Sequence, residues 1–184
     1  MGDINPSTHF YSPSLAIGPI YRYNFHTRSS LRLSGIYHRL KADPADFTLT
    51  YPVPVAPFNA SFLDFALNYE FNFVPYKTAD RKKNQSFYTG FGIGYQFKLS
   101  PEFARNLTIP FAVGYKFNAG KKLSGGVELA SRKTFFDSKI DGVVNIGTTE
   151  DKFHLVGNND WYTFAGIFIS YKIFNFREDC PAYD

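Results

Sequence analysis

Four histidines and one cysteine are the side chains best suited to chemistry in this chain of 184 residues. A hydrolase needs a nucleophile, a base and an orienting acid within reach of one another. His38 and His154 are the candidate bases, while His9 and His26 fall in turns. No serine stands in a Gly-x-Ser-x-Gly elbow, so no catalytic residue is assigned. A metal site would show paired His, Cys or carboxylate ligands at helical or hairpin spacing, and no such pairs stand in the sequence. No metal or other cofactor is expected. Gly90, Gly92 and Gly94 resemble a phosphate loop only superficially, because glycine at every second position marks one face of a strand.

The charges form a second constellation. Arg22, Arg32, Lys98, Lys116, Arg132 and Lys172 stand against Asp64, Glu70 and Glu128, each at a polar position within an alternating segment. Charges brought together inside a narrow space must be paired to be tolerated. The expectation is a salt-bridged polar network that fills a lumen. Glu128 and Arg132, four apart on one strand, are about 13 Å from each other, so they are expected to pair with neighbouring strands.

Period-two alternation supplies the elements that would hold these charges. Over 61–73, Leu63, Phe65, Leu67, Tyr69, Phe71 and Phe73 fall on one face, and Asp64, Ala66, Asn68, Glu70 and Asn72 on the other. The same pattern recurs over 14–25, 31–40, 87–99, 107–117, 123–135 and 161–173. A strand that crosses a bilayer needs about 9–11 residues, longer than the usual strand of a soluble sandwich. The apolar faces carry large side chains; the opposite faces carry Gly, Ala, Ser, Asn and isolated charges. A soluble barrel would take the large residues inside. Here the small and polar ones suit a thin lumen and the bulky ones suit lipid. Aromatic residues make up 19% of the chain, with 21 Phe and 13 Tyr, and they recur near strand ends as interfacial girdles do.

The expected fold is therefore all-β, an antiparallel transmembrane outer-membrane β-barrel over residues 1–176, with a short periplasmic tail over 177–184. Seven strands are legible, whereas bacterial single-chain barrels have an even number. Eight are expected, with the first missing or incomplete at the N-terminus of this chain. The prolines at 52, 54 and 57 argue against a strand over 46–55. No run of about 18 apolar residues provides a membrane helix. No secretory leader follows Met1, so it has been removed or the numbering begins inside the protein. A net charge of +4 is too weak to argue for nucleic acid.

Loop lengths set the orientation. Short connections at 26–30 and 118–122 belong on the periplasmic side, and long ones at 41–60, 100–106 and 138–160 outside. The connection 77–86 is long for a periplasmic turn and basic, with Lys77, Arg81, Lys82 and Lys83. A solvated charge run is the simpler account of it, and a contact surface for a periplasmic partner is the functional one. The tail, with Arg177, Cys180, Pro181 and Tyr183, emerges on the same side. Cys180 is the sole cysteine. An odd cysteine in an oxidising compartment points to an intermolecular disulfide or to a shielded free thiol.

Several stretches carry a resemblance. MGDINP followed by FYSPSLAIGPIYRYNF, then ASRKTFFDSKIDG, GNNDWYTFAGIFISYKI and finally CPAY resemble the PorG family, the outer-membrane β-barrel component of the type IX secretion system of Bacteroidota. The most specific pieces are Arg132 to Phe135 with Asp137, Asn159 to Tyr162, and Cys180 to Tyr183. The resemblance implies a non-enzymatic scaffold that ties the periplasmic ring of PorK, a lipoprotein, and PorN to the outer membrane. It also implies a signal peptide and a first strand ahead of the Gly-Asp-Ile-Asn segment. The alternatives are an adhesin-type barrel acting through its outer loops at 41–60 and 138–160, and a lipid-A-modifying barrel enzyme using His154 with a rim serine, or His38.

Overall fold

The computed structural model describes residues 14–42, 58–77, 84–100, 103–120, 122–135 and 161–173. They form eight strands: β1 (Ala16–Ile17), β2 (Ile20–Asn24), β3 (Ser29–Ala42), β4 (Phe58–Asn72), β5 (Gln85–Ser100), β6 (Ala104–Asn118), β7 (Leu123–Thr134) and β8 (Trp161–Tyr171). All belong to one antiparallel sheet in which β1 and β2 both pair with β3, and β3 to β8 follow in chain order. None of the described residues is helical.

β1 and β2 are two pieces of a single stave. Ala16 pairs with His38 and Ile20 with Ser34, so the register is the same on both sides of Gly18-Pro19. Pro19 has no N–H to give the ladder, although its carbonyl still accepts from Gly35 N at 3.1 Å. A Cβ at Gly18 would lie 1.9 Å from Gly35 O, so the two backbones touch there. The strand expected over 14–25 is thus present but interrupted.

Seven staves result among the described residues. Each runs antiparallel to the next, so the first and the last run in the same direction and cannot pair antiparallel with each other. No ladder joins them. Arg22 of β2 spans the seam instead, donating through Nη1 to Ser170 Oγ of β8 at 3.4 Å, with its guanidinium 5.1 Å from the Phe168 ring. The sheet is a nearly closed barrel, and one further antiparallel stave would satisfy both edges. That agrees with an expected count of eight.

Along the whole sheet the registers pair even-numbered residues with even-numbered ones, apart from an irregularity at Ser61/Phe62. Even positions therefore face the lumen in every stave and odd positions face out. The loop expected over 100–106 is shorter than the sequence suggests. Lys98 pairs with Ala104, so the ladder runs nearly to the turn and leaves only residues 101–103 between β5 and β6.

Pro110 lies in the middle of β6, in a central stave where proline is rare. The ladder with β5 lapses at Gly92 and Ile93, opposite Pro110, and resumes at Gly94, which pairs with Thr108. On the other side β5 lies close to β4: a Cβ at Gly92 would be 2.0 Å from Leu67 O. Glycine is required there because the obstacle is backbone, which does not swing aside. Gly92→Val is expected to abolish the heat-modifiable gel migration of the folded barrel, whereas Gly120→Ala, with open space at its Cβ, should migrate as the parent.

Candidate functional site

The lumen is built from the even positions and holds two clusters. The first lies toward the end of the barrel with the turns at residues 25–28 and 119–122, and its centre is Glu70 on β4. Arg22 grips this carboxylate with two bonds, Nε to Oε2 at 2.8 Å and Nη2 to Oε1 at 3.2 Å. Lys116 Nζ donates to Oε2 at 2.5 Å and to Asn72 Oδ1 at 3.1 Å. Ser30 Oγ adds a bond at 3.1 Å, and Arg32 Nη1 stands 3.3 Å from Oε1. Arg32 also donates both Nη groups to Glu128 of β7, the second at 3.2 Å, and Tyr88 O–H of β5 donates to the same carboxylate. Lys116 Nζ sits 4.1 Å from the Tyr88 ring centre. The set links β2 through β7 with three cations and two carboxylates.

Tyr76, in the segment after β4, closes this mouth. It is buried, its N–H donates to Thr27 O at 2.8 Å, and its O–H donates to Asn118 Oδ1 at 2.7 Å. Its ring centre is 6.0 Å from Lys116 Nζ.

The second cluster lies toward the other end, where β3 runs out and β4 begins. Arg132 Nε of β7 is 2.9 Å from Asp64 Oδ2 of β4, an ion pair whose angle is not that of a hydrogen bond. Tyr162 O–H donates to the same oxygen at 2.6 Å. Beside them His38 stacks on Phe62 at 5.3 Å and 15° and on Tyr162 at 5.3 Å and 25°, with Phe164 edge-on at 4.9 Å. Each such aromatic contact adds about 0.5–1.5 kcal/mol beyond area burial. Neither ring nitrogen of His38 has a hydrogen-bond partner, so the ring serves as a packing plane.

Seven of the nine charged residues singled out in the sequence are therefore brought together in these two clusters, with one correction. Glu128 and Arg132 do pair with other strands, but not with neighbours of β7. Their partners are Arg32 on β3 and Asp64 on β4, reached across the lumen. In a barrel this narrow, opposite walls are closer for a long side chain than a diagonal along one wall. Lys98 and Lys172 are half-buried on the even face toward the two mouths. Lys77 is exposed at the turn end, where its carbonyl accepts from Asn118 Nδ2 at 2.9 Å. Arg81, Lys82, Lys83, Arg177, Cys180, Pro181, Tyr183 and His154 lie outside the described residues.

Sequence reasoning passed over the lumen aromatics Phe62, Tyr88, Tyr162 and Phe164. A signal was available, since each is a bulky ring at an even position in a strand whose odd positions already carry the apolar set. Tyr76, in a connection, gave no such signal.

The outer wall is the inverse of the lumen. Leu33, Leu67, Ile93, Val113, Val127, Leu129, Ile167 and Ile169 form an exposed aliphatic belt around its middle. Toward the turn end the odd positions become aromatic, with Tyr23, Phe25, Phe73, Phe87, Phe117 and Tyr171 exposed. Toward the other end Phe65, Tyr95 and Phe103 are exposed, and Phe97 touches all three at 5.2–6.2 Å.

A nearly closed antiparallel barrel with a charged, filled interior and an apolar exterior defines the class. Within it, residues 1–182 match the family described as a domain of unknown function, DUF6089, and the chain belongs to that family. No curated protein and no solved structure matches it.

Glu70→Gln leaves Arg22 and Lys116 facing an amide, while Arg32 keeps Glu128. Breaking a buried pair on one side costs about 3–5 kcal/mol, so the unfolding free energy from urea titration of the barrel in detergent should fall by about that much, with a lower midpoint. Removing a cation as well, in Glu70→Gln with Lys116→Met, should recover part of the loss. A midpoint unchanged by Glu70→Gln would deny this carboxylate its central place.

Proposed function

We propose that this protein is an integral β-barrel of the bacterial outer membrane that acts without catalysis, as a membrane anchor and scaffold for the periplasmic PorK–PorN ring of a type IX protein secretion system. The observation that carries the membrane half is the sorting of side chains by parity. An exposed apolar wall of this extent on a soluble monomer would be an aggregation surface; in a bilayer it is the lipid-facing band, flanked by aromatic girdles at the two interfaces. The interior supports an anchor over a pore. Ion pairs and stacked rings occupy the lumen at two levels, and barrels of about eight strands leave room for little else.

The scaffold half rests on the resemblance to PorG and on what collects at the turn end. The basic connection that begins at Lys77 emerges there. β8 also ends there, so the tail carrying Arg177, Cys180, Pro181 and Tyr183 leaves on that side. A lipoprotein partner sits at the leaflet these groups would meet. His38, the only candidate base among the described residues at a lumen position, is held between rings with no serine bonded to it, which favours a non-enzymatic role.

The direct test is an affinity pull-down of the tagged full-length protein from gently solubilised outer membranes, with and without reductant. Co-purification of a large periplasmic ring containing a lipoprotein is expected, and release by reductant would assign the link to Cys180. A barrel that comes down alone, even after mild cross-linking, refutes the scaffold role. Reversing Lys77, Arg81, Lys82 and Lys83 to Glu should weaken ring capture at least tenfold while heat-modifiable migration stays unchanged. In planar bilayers the purified barrel should show no stepwise conductance; steady single-channel steps would contradict a filled lumen.

A further inference from the structure

The strand ends fix the side on which each connection emerges, so charge can be counted end by end over the whole chain. At the turn end emerge residues 25–28, 73–84, 119–122 and, after β8, 173–184, which hold eight Lys or Arg against four Asp or Glu. At the opposite end emerge residues 1–15, 43–57, 101–103 and 135–160, which hold two Lys or Arg against nine Asp or Glu. The cations of the adjoining strand ends, Arg39, Lys41, Arg105 and Lys133, leave acids in excess there. Every acid is counted on its own side, so the positive excess at the turn end survives whatever local pairs form. Arg28, Lys77 and Lys122, all exposed, supply three of the eight cations, and the other five stand against the four acids.

These three cations are mounted on a fixed face. Arg28 O accepts from Asn72 N at 2.8 Å, Lys77 O from Asn118 Nδ2 at 2.9 Å, and Lys122 O from Lys172 N at 2.9 Å. Tyr76 reaches from Thr27 to Asn118 and closes the mouth, so Lys77 leaves from the end face and not from the apolar wall. Val74 and Pro75, exposed just before it, put apolar area beside the cations. A face held in place before binding loses little ordering entropy on docking, and an apolar patch with a charged rim is the anatomy of a protein interface. A bilayer surrounds the wall and does not reach across a closed mouth, whereas a periplasmic protein does.

We infer that this end face, with Arg28, Lys77 and Lys122 around Val74 and Pro75, docks an acidic protein surface. The inference rests on the scaffold reading above and deepens it, because it assigns the chemistry of the matching face on the ring: carboxylates around a small apolar contact. The opposite charge of the two ends also orients the encounter. An acidic face is drawn to the turn end and repelled from the loop end, and charge of this kind acts mainly on the rate of association and its salt dependence.

The test measures binding of the purified periplasmic ring to the full-length barrel in phosphatidylcholine nanodiscs, with the barrel immobilised. The association rate is expected to fall about tenfold as salt rises from about 50 to about 500 mM. Arg28→Glu with Lys122→Glu should lower the rate about tenfold at low salt and flatten its salt dependence, with heat-modifiable migration unchanged. Arg28→Gln with Lys122→Gln, which removes charge without reversing it, should give an intermediate rate and covers a reversal that fails to fold. Arg105→Glu, at the opposite end, should leave the rate as it is. Ring binding that ignores both salt and the paired variants overturns the inference and leaves the scaffold reading standing. A ring that binds the parent barrel at no salt concentration refutes the scaffold reading, and this one with it. A thermal midpoint that phosphatidylglycerol raises and the paired variants bring back, with ring binding unaffected by those variants, assigns the face to lipid and overturns the docking.

Discussion

Glu70 has no access to solvent and receives bonds from Arg22, Lys116 and Ser30, with Arg32 in contact as well. A carboxylate in that position is costly to desolvate, and so are the cations around it. They are tolerable only together. Because the partners come from β2, β3 and β6, the condition that each charge be satisfied becomes a condition on the shape of the sheet. The sheet has to curl until opposite walls come within the reach of an arginine. Arg22 and Arg32 extend the same condition to the seam and to β7, through Ser170 and Glu128.

The curl leaves a narrow interior, and the remaining even positions show the consequence. Where long charged or aromatic side chains fill the lumen, the facing positions are small. A Cβ at Gly114 would meet the Tyr88 ring at 2.6 Å, and one at Gly126 would meet the Phe168 ring at 2.5 Å. The two filled levels differ in chemistry. Near the turns the filling is ionic, and near the other end it is a stack of His38, Phe62 and Tyr162 edged by Phe164. Between them lie Ala66, Asn68 and the Gly90–Gly94 stretch, with fewer bulky groups. The result is a pillar with two internal braces.

The exterior follows from the same parity. With even residues committed inward, odd residues have no choice but to face out, and these are aliphatic at mid-height and aromatic toward both ends. Arg39, Arg105 and Lys133 lie on the outward face near the rim opposite the short turns, with Arg39 bonded to Tyr37. The acids are withheld from that face, at least among the described residues. Charge sorting of this kind separates an ion-paired interior from an apolar exterior.

The sequence by itself determined the sheet and its two faces. Period-two alternation with large residues at one parity is a local property, so β3 to β8 and the inward placement of all nine lumen charges could be read without coordinates. The interruption at Gly18-Pro19 was less legible, because proline at an odd position looks like one more apolar residue. Pro110 breaks a rule for central strands, and the ladder with β5 lapses opposite it at Gly92 and Ile93. Only the tertiary structure decided which charges meet. Arg132 finds Asp64, and Glu128 finds Arg32, across a lumen whose width is set by the number and tilt of the staves, and no spacing along one strand encodes that distance. The same holds for Tyr76, whose burial depends on a mouth that exists only once the sheet has curled.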